Sequence, residues 1–431
     1  MNYSVSASTC FGILVIMMMV TACGTASDEQ ETTGVNSGTA PVINASATAR
    51  IDATLQRFVD AGDIAGISAL IYEDGDEVYF SAYGMADLRR DIPMDRQTIV
   101  QIYSMTKPIT GTALMQLYEK GAFDLDDPVS MHLPEFAGIQ VYAGEDASGE
   151  PILEDPRREM TIRDLTRHTA GFAPNSHETE TGRMLMDANP MNLEHTLTDM
   201  GERLASVPLE YHPGERWLYG ISVDVQALLV ERLSGIPFAE YLNEHILTPL
   251  GMNETRYFLP EGDRDRFSGM YNRDSDDGTL TQQPDDMALY LNGRQWPMTP
   301  GGYGLVSTLD DYMRFARMLQ NEGELDGVRV LDAQTVQLMA TNHLSDSVTE
   351  RSWLPTKGQV GFGINFAVRV EPPESEDENF GHVGEFFWDG AASTLFWVDP
   401  KNQLTAVLFV QLMPYDEIGL HKAFRDAVYG T

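Results

Sequence analysis

Cysteine is nearly absent from this chain of 431 residues. The two cysteines, Cys10 and Cys23, both lie near the N-terminus, so the body of the chain has none left to form a disulfide or a thiolate zinc site. Stability must therefore come from packing, and hydrophobic residues, at 42% of the chain, are enough for a sizeable core. Length and composition indicate a globular protein of one large or two medium domains.

Motifs that mark several enzyme classes are also missing. The chain has no Gly-x-Ser-x-Gly elbow, which argues against an α/β-hydrolase. It has no His-Glu-x-x-His, no Gly-x-x-x-x-Gly-Lys-Ser/Thr and no convincing Gly-x-Gly-x-x-Gly after a strand. The histidines His132, His168, His177, His195 and His212 show no metal-binding spacing and are interpreted as ordinary core or surface residues. We therefore expect neither a metal nor a nucleotide or other cofactor.

Positive charge is scarce, with 29 Lys and Arg residues against 65 Asp and Glu residues and a net charge of −36. A surface this acidic repels nucleic acid and anionic lipid headgroups, and it keeps a protein soluble in high salt. No local cluster indicates that the charge selects a substrate. We attribute it to a solvated surface suited to a saline habitat and expect no nucleic-acid partner.

Long hydrophobic runs are missing as well. Residues 11–20 form an apolar run that is too short to span a bilayer but suits the core of a signal peptide. The run ends in Val-Thr-Ala-Cys23, which resembles a bacterial lipoprotein box, although the segment before it lacks the usual Lys and Arg. We predict that residues 1–23 are a lipoprotein signal peptide and that lipidated Cys23 anchors the exported protein in the cell envelope, facing the periplasm. The alternative is a plain secretory signal and a secreted protein.

Residues 24–47 are rich in Ser, Thr, Gly and Asn, which is typical of a flexible tether. In the domain that follows, residues 48–431, strand patterns occur near both chain ends, whereas the region from about 111 to 300 is mainly helical. These patterns predict an α+β fold with one antiparallel sheet formed by both chain ends, flanked by helices and interrupted by the helical region. The predicted helices are 49–61, 161–167, 222–234, 238–246 and 420–429, and the predicted strands are 67–72 and 77–83 around an Asp74-Gly75 turn, 361–370, 393–398 and 404–410.

The stretch Tyr103-Ser104-Met105-Thr106-Lys107-Pro108 lies where an extended run gives way to a helical pattern. Pro108 supports a helix start, because proline is tolerated in the first turn, where its missing N–H would have no partner. Ser104 and Lys107, one turn apart, then project from the same face. An amine in that position can take the serine proton and activate the hydroxyl as a nucleophile. The tetrapeptide alone is equally compatible with an N-cap serine followed by a solvated lysine.

Tyr219 is the candidate for a second group that moves protons. It ends an extended segment after the turn at Pro213-Gly214 and lies just before the helix predicted to begin at Ser222. A phenol at such an element end can point into a cleft, and near cationic nitrogens it can act as a general base. The alternative is a core or rim tyrosine.

Two stretches are candidates for the backbone that binds the oxyanion, namely Gly381-His382-Val383-Gly384 and Trp388-Asp389-Gly390. Both precede the strand predicted over 393–398. Small residues at a strand edge let a backbone N–H approach a ligand, and the N–H of Ser104 at its helix start is the second donor. An ordinary Gly-rich loop is the alternative.

Taken together, several stretches resemble signatures of the serine β-lactamase and penicillin-binding protein superfamily, in the family's order. They are residues 102–111, 125–129, 161–171, 213–219 and 301–308. The resemblance extends from about residue 50 to the end and is greatest to the class C β-lactamases and the related family VIII carboxylesterases. It implies the β-lactamase/transpeptidase-like fold.

The resemblance implies that Ser104 is the acylated nucleophile, that Lys107 is its proton acceptor and electrostatic partner, and that Tyr219 is the base that also protonates the leaving group. Two departures concern the substrate. Class C enzymes carry an asparagine two residues after this tyrosine, where it binds an amide of the substrate, and Ile221 stands there instead. The Lys-Thr-Gly motif of β-lactamases is also missing, and Trp388-Asp-Gly390 resembles the Trp-Gly-Gly of the esterases.

These observations predict a serine hydrolase that acts through an acyl-enzyme on a small-molecule ester or amide, most simply a carboxylesterase on short-chain esters. A β-lactamase or D-amino-acid peptidase is the first alternative, because the same residues could support it. A non-catalytic cell-wall sensor is a further alternative, and the intact Ser104 and Lys107 count against it.

Overall fold

The structure, a computed structural model, describes residues 40–430. The predicted signal peptide, Cys23 and most of the predicted tether lie outside these residues and stay predictions. The α-helices described are α1 (Ala45–Asp60), α2 (Thr106–Glu119), α3 (Val129–His132), α4 (Ile162–Thr166), α5 (Glu180–Ala188), α6 (Leu197–Ala205), α7 (Ser222–Ser234), α8 (Phe238–Leu242), α9 (Asp285–Ala288), α10 (Leu309–Gln320), α11 (Ala333–Met339) and α12 (Leu420–Tyr429). Short 3₁₀ segments include Tyr103–Met105 and Leu354–Lys357, and α8 continues into a π-helical turn, Asn243–Leu247.

The strands described are β1 (Gly66–Glu73), β2 (Asp76–Asp87), β3 (Ile92–Pro93), β4 (Val100–Gln101), β5 (Val141–Glu145), β6 (Pro151–Glu154), β7 (Tyr271–Arg273), β8 (Leu280–Gln282), β9 (Val306–Ser307), β10 (Glu324–Leu325), β11 (Val328–Arg329), β12 (Val360–Phe362), β13 (Ala367–Arg369), β14 (Phe386–Asp389), β15 (Leu395–Asp399), β16 (Leu404–Phe409) and β17 (Leu412–Met413).

One antiparallel sheet joins the two ends of the chain, in the strand order β12-β13-β14-β15-β16-β1-β2-β3. The junction is the pair β1–β16, in which Ser68 lies opposite Phe409 and Glu73 opposite Leu404. The β1–β2 hairpin turns at Asp74 and Gly75, both with positive φ, as a tight two-residue turn requires. The predicted α+β class and the sheet built from both chain ends are confirmed.

The centre of this sheet is covered on both faces. Phe396 and Trp397 are neighbours on β15, and successive strand residues point to opposite faces. The Phe396 ring contacts Tyr312 of α10, with 5.1 Å between centroids, whereas Trp397 contacts Phe424 of α12 at 5.3 Å. Helices α10 and α12 therefore pack on opposite faces, and α1 packs against α12.

Some predicted boundaries are wrong. Helix α1 begins at Ala45 rather than residue 49, because the Asn44 side chain accepts from the N–H groups of Ser46 and Ala47 over 3.0 and 3.1 Å. Regular structure thus starts inside the predicted tether. The single strand predicted over 361–370 is the hairpin β12–β13, which turns where Asn365 adopts a φ of 65°. Strand β14 was not expected from the sequence.

The region between about residues 111 and 300 contains the helices α4 to α8. Helix α7 in this region and helix α12 at the C-terminal end agree with the predicted helices residue for residue. It also contains two short hairpins, β5–β6 and β7–β8. Within residues 40–430, no helix is both long and apolar enough to cross a membrane.

Candidate active site

Ser104 and Lys107 meet at the start of α2. Ser104 lies in the 3₁₀ turn directly before this helix, and Lys107 is in its first turn and only 4% exposed. Lys107 Nζ donates to Ser104 Oγ over 3.0 Å and to the carbonyl oxygen of Gly302 over 2.7 Å. Tyr103, just before the serine, has a φ of 44°, which costs about 1 kcal/mol in a residue other than glycine. The alternative of a solvated lysine is therefore wrong, because the ammonium is buried against the hydroxyl.

The loop that contains Gly302 is tied to Asp224 on α7. The Gly302 N–H donates to Asp224 Oδ1 over 3.0 Å, so this glycine binds the buried carboxylate through its N–H and Lys107 through its carbonyl. A Cβ at Gly302 would come within 3.1 Å of an Asp224 oxygen and 3.3 Å of Lys107 Nζ, so a larger residue would crowd both groups. Sequence reasoning assigned no role to either residue. The signal for Gly302 was its place in the family-like stretch 301–308, and Asp224 had none.

Burial raises the pKa of Asp224 to about 6, and the charge of Lys107 together with backbone N–H groups only partly offsets that effect. The usual pKa of an aspartate is 3.8, so between these two values the folded protein holds a proton that the unfolded chain has released. The folded state therefore loses stability as the pH rises through this window, by about 3 kcal/mol in total.

We expect Asp224→Asn to remove this pH dependence while keeping an acceptor for the Gly302 N–H. The free energy of unfolding of the variant minus that of the wild type should rise by about 3 kcal/mol between about pH 4 and pH 7, as measured by urea unfolding. Asp311, whose pKa burial also raises to about 6, titrates in both proteins and cancels in the difference. A difference that is constant over this pH range would contradict the assignment.

Tyr219 lies between Lys107 and a cluster of aromatic rings. Lys107 Nζ is 4.6 Å from the centroid of the tyrosine ring, close enough for a cation–π attraction. On its other sides the ring contacts Trp353 at 5.3 Å and Trp388 at 5.5 Å between centroids. Its hydroxyl makes no hydrogen bond to any of residues 40–430 and is available to a substrate.

His168 packs against the same tyrosine, with 4.8 Å between ring centroids. It is 1% exposed, and neither ring nitrogen has a hydrogen-bond partner in the described part of the chain. Burial lowers the pKa of His168 well below its usual value, and the charge of Lys107 lowers it further. The imidazole is therefore neutral and acts as packing for Tyr219, in agreement with its interpretation as a core residue.

Of the two stretches considered for the oxyanion, Trp388-Asp389-Gly390 lies beside the serine. Trp388 and Asp389 belong to β14, and Gly390 follows its C-terminal end. A Cβ on Gly390 would lie 2.5 Å from the carbonyl oxygen of Ile102, two residues before Ser104, so glycine alone permits this approach. The next residue, Ala391, donates no backbone hydrogen bond to another described residue. Its N–H is free to bind a ligand.

The other stretch lies at the opposite end of β14. His382 Nδ1 is 2.9 Å from a carboxylate oxygen of Asp399, and its ring packs against Tyr429 of α12. Gly384 forms the turn that enters the strand and has a φ of 91°. The structure therefore does not bring His382 and Gly384 to Ser104, and the physical reason is that β14 separates the two stretches by its whole length.

A buried ion pair that was not expected from the sequence lies behind Trp388. Lys357, 3% exposed, pairs with Asp389 and donates to the Tyr415 hydroxyl over 2.9 Å, and that hydroxyl donates to Asp389 over 2.7 Å. Lys357 Nζ also lies 4.4 Å from the Trp353 ring and 5.0 Å from the Trp388 ring. Burial lowers the pKa of Lys357, and the Asp389 charge opposes that effect. The pair fixes the indoles that enclose Tyr219.

Ser104, Lys107 and Tyr219 line one cavity of about 370 Å³. Its remaining wall is largely apolar and includes Ile221 and Met191. Within residues 40–430, no group of His, Cys, Asp and Glu side chains could hold a metal ion. Because of its largely apolar wall, the cavity can hold a small apolar group next to the Ser104 hydroxyl, the Lys107 amino group and the Tyr219 phenol.

Known proteins resemble this chain over most of its length. A profile of the family described as Beta-lactamase matches residues 51–430. Protein Rv1367c of Mycobacterium tuberculosis is 31% identical over 377 residues, which cover 84% of this chain and 89% of that protein. Esterase EstB of Burkholderia gladioli is 27% identical over 406 residues, or 89% of this chain and 96% of EstB. The solved structure of simvastatin synthase LovD from Aspergillus terreus has a TM-score of 0.77 and 26% identity, covering 90% of this chain and 99% of LovD.

The likeness to LovD confirms the β-lactamase/transpeptidase-like fold over nearly the whole described chain. The esterase among the relatives agrees with the enzyme class that the sequence predicts. From the family match, the fold and these relatives together, the chain belongs to the β-lactamase family and is a serine hydrolase with esterase and acyltransferase homologues.

Proposed function

We propose that this protein is a carboxylesterase that hydrolyses esters of short-chain acids through an acyl-enzyme on Ser104. The observation that carries the proposal is the 3.0 Å contact between Lys107 Nζ and Ser104 Oγ on the wall of a cavity of about 370 Å³. A buried amine at hydrogen-bond distance from a hydroxyl is the arrangement that activates a serine without a histidine. Tyr219 and Ile221 complete the same cavity.

In the acylation step, Ser104 Oγ attacks the ester carbonyl carbon and its proton passes to the Lys107 amine. The carbonyl π electrons move to oxygen, and the N–H groups of Ser104 and Ala391 stabilise the oxyanion. When the tetrahedral intermediate collapses, the bond to the alcohol oxygen breaks and Tyr219 gives its phenol proton to that oxygen, which leaves Lys107 protonated and Tyr219 as a phenolate. The products are an ester on Ser104 and a free alcohol.

In the deacylation step, a water molecule takes the place of the departed alcohol. Tyr219 accepts its proton as the water oxygen attacks the acyl carbon, and the second tetrahedral intermediate releases Ser104 Oγ, which regains a proton from Lys107. The short acid leaves, and every group returns to its starting state. Asp224 and Gly302 act as positioning residues, because they hold Lys107 Nζ against the serine.

The ester preference rests on Ile221, which is 9% exposed and lines the cavity. A β-lactam or a peptide brings an amide into the site, and a buried amide without a partner loses about 1–3 kcal/mol of binding. An ester with a short acyl chain has no such group, so an isoleucine suits it. A β-lactamase or D-amino-acid peptidase is the alternative that uses the same three residues.

The proposal is tested by measuring kcat/KM for p-nitrophenyl acetate, p-nitrophenyl butyrate and a chromogenic cephalosporin. We expect the esters to exceed the cephalosporin by about 100-fold or more, which corresponds to about two unmade hydrogen bonds. The matched variant Ile221→Asn supplies a side-chain amide and should narrow the gap about tenfold. Rapid cephalosporin turnover with inert esters would overturn the ester assignment.

A further inference from the structure

A second cavity lies behind the catalytic one. It has a volume of about 530 Å³, against about 370 Å³ for the cavity that contains Ser104. Within the described part of the chain, Tyr303 is the one residue that lines both cavities. Tyr303 therefore adjoins both the cavity of the reacting serine and a larger volume.

The second cavity suits an apolar group. Leu247, Met298 and Leu305 contribute walls that are at most 3% exposed, and the Trp296 ring adds an aromatic surface. Two arginines around it are already paired, Arg256 with Asp263 and Arg294 with Glu194. Two carboxylates also line it without an ion pair to any described residue: Glu231 accepts from the Phe238 N–H over 2.8 Å, and Glu240 is exposed. An alkyl chain that entered this volume would leave water without separating any of these ion pairs.

The backbone on either side of Tyr303 is held independently of the tyrosine ring. The Gly301 carbonyl accepts from Thr110 Oγ1 over 2.7 Å, and Gly302 is bound to Asp224 and Lys107. On the other side, the Gly304 carbonyl accepts from Asn292 Nδ2 over 2.7 Å. A change confined to the Tyr303 side chain should therefore leave the Lys107 contact in place.

The Tyr303 hydroxyl makes no hydrogen bond to any of residues 40–430. Burial raises the pKa of this phenol, and the nearby Asp224 charge adds to the effect, so the side chain is neutral. Neither a hydrogen-bond network nor a charge ties the ring to the reaction. What the ring contributes to the site is its volume.

We propose that Tyr303 determines substrate specificity by limiting the length of the acyl chain, and that the cavity behind it is a latent subsite for a longer one. The inference rests on the proposed esterase function. The acyl group is the relevant part of the substrate, because it stays on Ser104 until water releases it, whereas the alcohol must leave for solvent before deacylation. A largely apolar cavity adjoining that of the serine therefore suits the acyl chain.

The test compares the wild type with Tyr303→Ala and with Tyr303→Phe, which removes the hydroxyl but keeps the ring. We measure kcat/KM for p-nitrophenyl acetate, butyrate, octanoate and dodecanoate, and for octyl acetate, an acetate ester of a long alcohol. The wild type and Tyr303→Phe should prefer the two short esters. Tyr303→Ala should raise the octanoate-to-butyrate ratio by at least about tenfold, because each methylene removed from water contributes about fourfold, while acetate hydrolysis stays within about threefold.

A second experiment fills the larger cavity with a bulky side chain. Ala239 lines the larger cavity and is absent from the catalytic one, so Ala239→Phe in the Tyr303→Ala background should remove the gain for octanoate and leave acetate hydrolysis unchanged. If Tyr303→Ala does not fold, Tyr303→Leu leaves less empty space and should change the ratio in the same direction. Thermal unfolding of each variant confirms that it is folded.

Three results would overturn the inference: an unchanged ratio in folded Tyr303→Ala, the same shift in Tyr303→Phe, or a gain confined to acetate esters of long alcohols. The last result would assign the second cavity to the alcohol instead. A wild type that hydrolyses none of these esters would contradict the proposed function itself, which is a separate outcome.

Discussion

Replacement of Ser104 by alanine should abolish ester hydrolysis, with kcat for p-nitrophenyl butyrate falling by about 10⁵-fold, to the level that binding and oxyanion contacts alone can sustain. The reason is chemical, because alanine has no oxygen to form the acyl bond and none of the neighbouring groups can replace it. Lys107 would keep its contact with the Gly302 carbonyl, so the fold of the site should survive. Stopped-flow absorbance at 400 nm, roughly the p-nitrophenolate maximum, measures the loss.

Intact-mass spectrometry gives the second readout for this prediction. Wild-type protein quenched during turnover of a slow ester should carry one acyl group, and Ser104→Ala should carry none. Ser345→Ala, an exposed serine outside the cavity, is the matched control and should behave as the wild type. Acylation of Ser104→Ala would show that another residue is the nucleophile. The same conclusion would follow if this variant retained more than about a tenth of the wild-type activity.

Replacement of Lys107 by methionine should lower kcat by about 10⁴-fold with a smaller change in KM. Methionine has a similar length and fits an apolar site, but it offers no proton acceptor for the Ser104 hydroxyl. The Gly302 carbonyl would also lose its partner, at a cost of about 1–3 kcal/mol in stability. Lys107→Arg should be nearly as inactive, because a guanidinium stays protonated and cannot accept the serine proton.

Lys120→Met is the matched control for this pair of variants. Lys120 is exposed just after the C-terminal end of the same helix, so its replacement should leave kcat within about twofold of the wild type. Circular dichroism and thermal unfolding separate lost chemistry from lost structure. Activity of Lys107→Met within about tenfold of the wild type would contradict its role as the proton acceptor.

Short-range patterns were sufficient for much of the fold. The Asp74-Gly75 turn predicts its own hairpin, because positive φ at both positions closes a two-residue loop whatever packs around it. Helices α7 and α12 were predicted to the residue from hydrophobic period and end signals. The strand-to-helix junction at Ser104 followed in the same way from an extended run, a helical pattern and Pro108.

Other elements depend on partners far away in the chain. The turn between β12 and β13 exists where the Asn365 side chain donates to the Lys107 carbonyl over 3.1 Å and bonds Gln226. No pattern within residues 361–370 indicates either partner, so the sequence of this segment predicts one continuous strand. The contact of Gly390 with the Ile102 carbonyl also depends on a partner far away in the chain. This contact places the stretch of Trp388 and Gly390 beside Ser104, a choice between two stretches that local sequence patterns could not make.

The sequence by itself determined which chemical groups are present and which of them must be neighbours. Ser104 and Lys107 are one helical turn apart, so any helix that starts there brings hydroxyl and amine together, and the set of motifs specifies the family. Tertiary structure decided what surrounds that pair: Asp224 and Gly302, which hold Lys107 Nζ, and Tyr303, which lines the cavity. The physical reason is that local conformation follows from backbone sterics and hydrogen bonds between near neighbours, whereas burial, electrostatic environment and cavity shape are created only when distant segments pack.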